Sequence, residues 1–289
     1  MKQSRPITTR TRRLLPLAFL TLWGCATPLP DTCNIPAEQA AKKRIEAAPI
    51  PDNYVQAQLI SDWSGAKRLD CLSQGNDVLF EGDIMVAKVP GNHPKGIMVT
   101  GASHRWKGGI VPFVIDPSFP NPGRATQAMQ IIQDKTGVVK FVARTNEPDY
   151  IKFVPGANPD LGASPVGRQG GAQSVTMGSR CGFGIALHEI GHALGLWHEQ
   201  SRSDRDKYVC ILWDNINPKM RFNFNQEGHN GSDIGDYDYD SIMHYFPTIF
   251  SRNGKPTILP RKPGVSIGQQ THLSVGDIAS IRAIFNSPN

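Results

Sequence analysis

His188-Glu189-Ile190-Gly191-His192-Ala193-Leu194-Gly195-Leu196-Trp197-His198-Glu199 is the stretch on which the reading of this 289-residue chain turns. An α-helix takes about 3.6 residues per turn, so four positions advance it about 40° beyond a full turn. His188 and His192 therefore share a face and can hold one metal ion. Ten positions would carry His198 round to about 280° if the helix ran on, facing away from that ion. Gly195 resolves this, because glycine adopts a left-handed conformation that ends a helix and turns the chain back. Three neutral imidazoles suit Zn2+, one ion per chain, and leave a coordination position for water. Glu189 follows the first ligand and is placed to work on that water, taking its proton as general base and later handing it to a leaving amine. The bland alternative is three histidines satisfied inside a core. Gly195 and His198 at these spacings weigh against it.

Outward from this helix, expected over 184–194, the chain carries regular signals. Ile110–Asp116, Val138–Ala143 and Tyr150–Val154 are β-branched or aromatic runs that read as strands, and Ser174–Met177 as another short one. Between the first two, Ala125, Ala128, Met129 and Ile132 recur at helical spacing. Strand, helix, strand in that order suggests a crossover onto a sheet. Past residue 200 the chain is loop-rich and acidic around Asp233, Asp236, Asp238 and Asp240, and it closes on a helix start at Ser274 with Asp277 three residues on. Upstream, a helix is expected near Ala37–Ala47 and a β-like run from Val78 to Val86, and Pro90–Gly96 reads as a linker.

The formal net charge is +6 and the pI about 9.1. Lys2, Arg5, Arg10, Arg12 and Arg13 account for five of those charges, with no acid before residue 25. This basic start runs into the apolar stretch Leu14–Trp23, the order of a secretory signal. That stretch is too short to cross a bilayer as a mature helix. The remaining basic residues are dispersed and form no nucleic-acid module, so no nucleic-acid partner is expected. Leu22-Trp23-Gly24-Cys25 resembles a bacterial lipoprotein box, which implies a lipid on Cys25 and an exported protein: secreted, periplasmic or anchored in the outer membrane. The membrane would then be met only through that anchor.

Ser241-Ile242-Met243-His244-Tyr245 resembles the Met-turn that lies beneath the metal in metzincin proteases. With His188-Glu189 to His198-Glu199, then Arg202, Asp204-Arg205-Asp206 and Tyr208, the chain from about Arg105 to Phe285 resembles the astacin family of zinc endopeptidases. The resemblance implies an α+β fold of metzincin type. Its N-terminal subdomain would hold a twisted, mostly parallel sheet and two helices, one bearing the active site; its C-terminal subdomain would be irregular and end in a helix. It implies His188, His192 and His198 as zinc ligands and Glu189 as general base. Tyr245 would be a fifth, retractable ligand that supports the oxyanion, Met243 the structural methionine, and Glu199 the receiver of the mature N-terminus. Phe80-Glu81-Gly82-Asp83 resembles the family's propeptide switch, with Asp83 on the zinc in place of water. The organisation implied is a leader of lipoprotein type (1–24), a pro-segment (25–96) and a catalytic domain (97–289, dividing near 195/196) acting as a monomer on protein or peptide substrates.

The chain also departs from the family. Gly137 stands where relatives carry a Cys, and Gly162 where the partner of Cys181 is usual. Gln270 stands where many relatives have an Arg linked to acidic residues after the scissile bond, so no acidic preference is expected. Five cysteines leave one over in an oxidising compartment, and a lipidated Cys25 would be that one. The neighbourhoods of the other four suggest Cys33–Cys71 and Cys181–Cys210, among three possible pairings. An extended substrate is expected to pair with the strand at 174–177. Two further readings stand beside the protease: another metzincin-like hydrolase of cell-wall or small peptides, and a non-catalytic ligand-binding lipoprotein.

Overall fold

The computed structural model describes residues 33, 54–61, 65–74, 77–80, 82–86, 95–96, 102–227 and 232–286. The leader, Cys25 and the helix expected at 37–47 lie outside the described residues. Among those described, no helix is long and apolar enough to cross a membrane.

The N-terminal part forms a five-stranded sheet in the order β4-β3-β2-β1-β5. Its strands are β1 (Tyr54–Ser61), β2 (Gly65–Gln74), β3 (Asp77–Phe80), β4 (Ile84–Val86) and β5 (Lys95–Gly96). The first four make an antiparallel meander, and β3, apart from Asp77, and β4 fall within the run expected to be β-like. The linker reading needs correction at its end, because Lys95–Gly96 pairs in parallel with Gln58–Leu59 of β1.

The second sheet has the order β7-β6-β8-β10-β9. It comprises β6 (Ile110–Ile115), β7 (Lys140–Ala143), β8 (Tyr150–Pro155), β9 (Gly162–Ala163) and β10 (Ala172–Met177). All its pairs are parallel except β10 with β9. Pro112 falls where β6 pairs with β7 alone, so its missing N–H is tolerated there. Helix α1 (Gly123–Thr136) makes the crossover from β6 to β7, burying Ala125, Ala128, Met129 and Ile132 against the sheet. Helix α2 (Phe183–Leu194) packs beside it with Leu187, Ile190 and Leu194 fully enclosed. This is the α+β architecture expected.

The C-terminal part is built from short 3-10 turns, the two-stranded β11 (Val209–Ile211) and β12 (Ile258–Pro260), and the closing helix α3 (Val275–Asn286). Its own core gathers Val209, Ile216, Phe224, Tyr237, Tyr245 and Ile258. Ser274 and Asp277 cap α3 reciprocally: the Asp277 N–H donates to Ser274 Oγ and the Ser274 N–H to Asp277 Oδ2, each at 2.9 Å. The Asp277 carboxylate also accepts from Ser241 Oγ (2.6 Å) and the Ile242 N–H (2.9 Å), tying α3 to the turn at 241–245. Arg202 pairs with Asp204 and Arg205 with Asp206, so this cluster forms local ion pairs.

Both expected disulfides are overturned. Cys33 is bonded to Cys210, with Cα atoms 5.4 Å apart, and Cys181 is a buried free thiol. The reason is placement. Cys181 is buried in the core that also takes in α1 and α2, whereas Cys210 sits on β11 in the C-terminal part. Cys71 lies on β2.

Candidate metal centre

Helix α2 ends where glycine allows. Gly195 takes φ of 117°, its N–H reaches the His192 carbonyl at 2.8 Å, and the Leu196 N–H reaches Gly191 O at 3.0 Å. This left-handed stop turns the chain so that His198 returns to the face of His188 and His192. The ring centroids lie 4.7 Å (His188–His192), 4.7 Å (His192–His198) and 5.2 Å (His188–His198) apart. Two of the rings are anchored from behind. His188 Nδ1 donates to Ile242 O at 2.9 Å and His192 Nδ1 to Leu196 O at 2.8 Å. A proton held on Nδ1 leaves the Nε2 lone pair facing inward.

Asp83 meets these rings from another part of the chain, at the turn between β3 and β4. Its Oδ1 lies 3.2 Å from His198 Nε2 and 3.8 Å from His192 Nε2, and its Oδ2 lies 3.4 Å from His188 Nε2. One ligand atom from each of the four residues falls within 4.8 Å of the others. His188 Nε2, His192 Nε2 and Asp83 Oδ1 are buried with no hydrogen-bond partner. Such orphaned atoms are costly in a protein interior unless something else satisfies them. Three nitrogens and a carboxylate oxygen converging on one point fit a zinc ion. Burial pushes the Asp83 carboxyl up, but the charge of His198 and contacts with His188 and His198 outweigh it and hold the group well below the usual carboxylate range.

Glu189 is 1% exposed and its Oε2 has no partner. Burial, then the Asp83 and Cys181 charges, push its carboxyl well above the ordinary value. Strand β9 lies directly against it. A Cβ at Gly162 would come within 2.4 Å of Glu189 Oε1, so the absent side chain makes the room that this carboxylate occupies. The position where the resemblance implies a Cys thus holds the residue that admits the glutamate.

Tyr245 is buried with its ring centroid 4.6 Å from that of His198, and its N–H donates to Gln200 Oε1 at 3.0 Å. Met243 is buried in the core beneath α2, and its carbonyl accepts from the Glu199 N–H at 3.1 Å. Glu199 accepts from the Asp238 N–H at 2.7 Å, lies 3.6 Å from Arg202 Nε, and is pushed by burial up to about 7. It lines a cavity of about 390 Å³ with His104, Arg105, Asp236 and Ser280.

Sequence reasoning missed the partners that no spacing announces: the carbonyls of Ile242 and Leu196, the bond from Tyr237 Oη to His244 Nε2 (2.7 Å), and Ser164. The last corrects the expected substrate strand. Thr176 and Met177 of β10 are covered by β9, and the edge is Gly162–Ser164. There the β3–β4 turn is seated: the Met85 N–H donates to Ser164 O and the Ser164 N–H to Asp83 O, both at 3.0 Å, bridging Ile84 and Ser164 in parallel.

A family model, that of the astacin peptidases, matches residues 98–286. Human Tolloid-like protein 1 is 39% identical over 229 residues, which covers 73% of this chain and 22% of that protein. Zinc metalloproteinase nas-13 of Caenorhabditis elegans is 40% identical over 190 residues, 64% of this chain and 41% of the relative. The chain therefore spans less than half the length of these curated relatives. Among solved structures, high choriolytic enzyme 1, a hatching enzyme zinc-protease from the medaka Oryzias latipes, superposes with a TM-score of 0.59 at 36% identity. That match covers 66% of this chain and 98% of the medaka chain.

Proposed function

The chain belongs to the astacin family of zinc metalloendopeptidases, and on that footing we propose that it is an exported endopeptidase made as a latent precursor. The observation that carries this reading is the convergence of three buried imidazoles, two of them with unpartnered Nε2 atoms, beside a buried glutamate. His188, His192 and His198 would hold zinc. When bound, zinc lowers the pKa of a water towards neutrality and polarises the scissile carbonyl. Glu189 takes the water's proton and passes it to the departing amine, and its enclosed carboxyl is suited to carrying a proton between the two. The Tyr245 hydroxyl supports the oxyanion as it forms. Met243 floors the site, and Glu199, in its cavity, receives the mature N-terminus.

Asp83 stands in this reading as the latency switch, its carboxylate filling the position a water needs. Residues 25–96 are then the pro-segment and 97–289 the catalytic domain, with 1–24 the export signal and Cys25 a point of lipid attachment. Extended substrate adds to the Gly162–Ser164 edge that the pro-segment now covers, as peptides commonly add to an open sheet edge. Gln270 is neutral, so the residue after the scissile bond need not be acidic.

The test is Glu189→Ala in the processed protein. Proteolysis is expected to fall roughly 10²- to 10⁴-fold, with one zinc per chain retained by atomic absorption. Turnover within tenfold of wild type would overturn the assignment. Asp83→Ala should give a precursor active before processing, and cleavage sites in a peptide library, read by mass spectrometry with and without chelator, define the preference.

A further inference from the structure

Among the described residues, the inhibitory segment is attached to the catalytic unit at two separate places. At the cleft, Ile84 is 1% exposed, and residues 83–85 exchange two backbone hydrogen bonds with Ser164. Far back along the sequence, Cys33 is bonded to Cys210 on β11. Both sulfurs belong to buried residues, and Arg261, next to β12, donates to the Cys33 carbonyl. One attachment is reversible and the other is covalent.

We propose that the Cys33–Cys210 disulfide is a redox-sensitive tether that keeps the inhibitory segment on the catalytic unit after the chain is cut between Val86 and Ala102, so that full activity requires reduction as well as cleavage. This rests on reading Asp83 as the latency switch. A cut alone would turn the segment into a separate molecule, and dilution would carry it away. With the bond intact, re-entry of Asp83 is intramolecular, at an effective concentration on the order of millimolar. Two hydrogen bonds and one buried isoleucine then suffice to keep the edge at Ser164 covered. An oxidising compartment preserves such a bond. A dithiol breaks it: one thiolate attacks a cystine sulfur and displaces the other cysteine, and the second thiol closes on the mixed disulfide. Two electrons and two protons pass to Cys33 and Cys210, and the reductant leaves as a cyclic disulfide.

The experiment uses the full chain, cut by brief trypsin treatment at Lys88 or Lys95 with the stretch from Cys33 to Asp83 verified intact by mass spectrometry, diluted to nanomolar concentration and assayed on a quenched peptide with and without dithiothreitol. A non-reducing gel should show the two fragments as one species, and peptide mapping should recover Cys33 joined to Cys210. Activity should rise about tenfold or more on reduction. Cut Cys33→Ala should stand at the high level already and be unmoved by the thiol, which separates release of the tether from any action of the thiol on zinc. Cys210→Ala gives the same comparison should Cys33→Ala fail to fold. Fragments that part without reductant, or a tethered cut protein as active as the reduced one, would overturn the proposal. Cut, tethered Asp83→Ala should be active without reductant. If it is silent while the fragments stay joined, the switch reading fails and the tether remains only a structural link.

Discussion

The four groups that meet at the metal centre come from two regions held in opposite ways. The segment 183–198 supplies three imidazoles from one enclosed helix and the turn that follows it, with His188 and His192 pinned from behind to backbone carbonyls. The segment 77–86 supplies Asp83 from a short hairpin whose hold away from the histidines includes Ile84 and two hydrogen bonds to Ser164. The first arrangement fixes its ligands whatever else happens to the molecule. Under the proposed latency the second would withdraw as a unit and leave the first unchanged. The proposed latency would need that asymmetry, a permanent site and a removable cap.

Removing a group from the permanent side should have the largest effect. His192→Ala, at a fully buried position, should take zinc content from one per chain to near zero and abolish turnover. Metal analysis on the purified variant checks it. Ile84→Ala acts on the removable side alone. Truncating so enclosed a side chain costs about 2 kcal/mol or more, so the uncut precursor should leak peptidase activity while the unfolding midpoint of the catalytic part stays put. If that midpoint falls instead, the two regions are one cooperative unit and the contrast fails. Gly162→Ala presses a methyl group onto Glu189 and should cost about 1–3 kcal/mol, read as a lower kcat with zinc content unchanged. Smallest is Tyr237→Phe, which removes the hydrogen bond to His244 behind the turn at 241–245. A loss of about 1 kcal/mol is expected, or a drop in Tm of about 2–4 °C.

What the chain disclosed in advance follows the same division. The spacing of His188 and His192 and the break at Gly195 are local facts, and the structure shows the helix ending at Leu194 with Gly195 left-handed. The strand, helix, strand order at 110–143 is equally local and stands as read. Long-range pairings were less legible. Cys33 and Cys210 are 177 positions apart, and nothing near either cysteine names the other. Strand β9 is two residues long, too short to carry a periodic pattern, so the open edge was read one strand too far inward. Gly162 looked like a missing cysteine. Its work, making room for Glu189, appears only when β9 and α2 are brought together.

The contact at Ser164 is made by main-chain atoms on both sides. Amide and carbonyl groups are common to nearly every residue type, so substitution at Ser164 changes little of what holds the cap. A substrate extending the same edge would draw on the same two groups. Weakening that edge by moving its backbone would loosen inhibitor and substrate together, and selection cannot easily trade one for the other there. The independent variation left to evolution lies in side chains such as Ile84, where latency can drift without touching turnover. Under the proposed latency, homologous precursors should differ most in how firmly they are shut, and least in how they grip a peptide backbone once open.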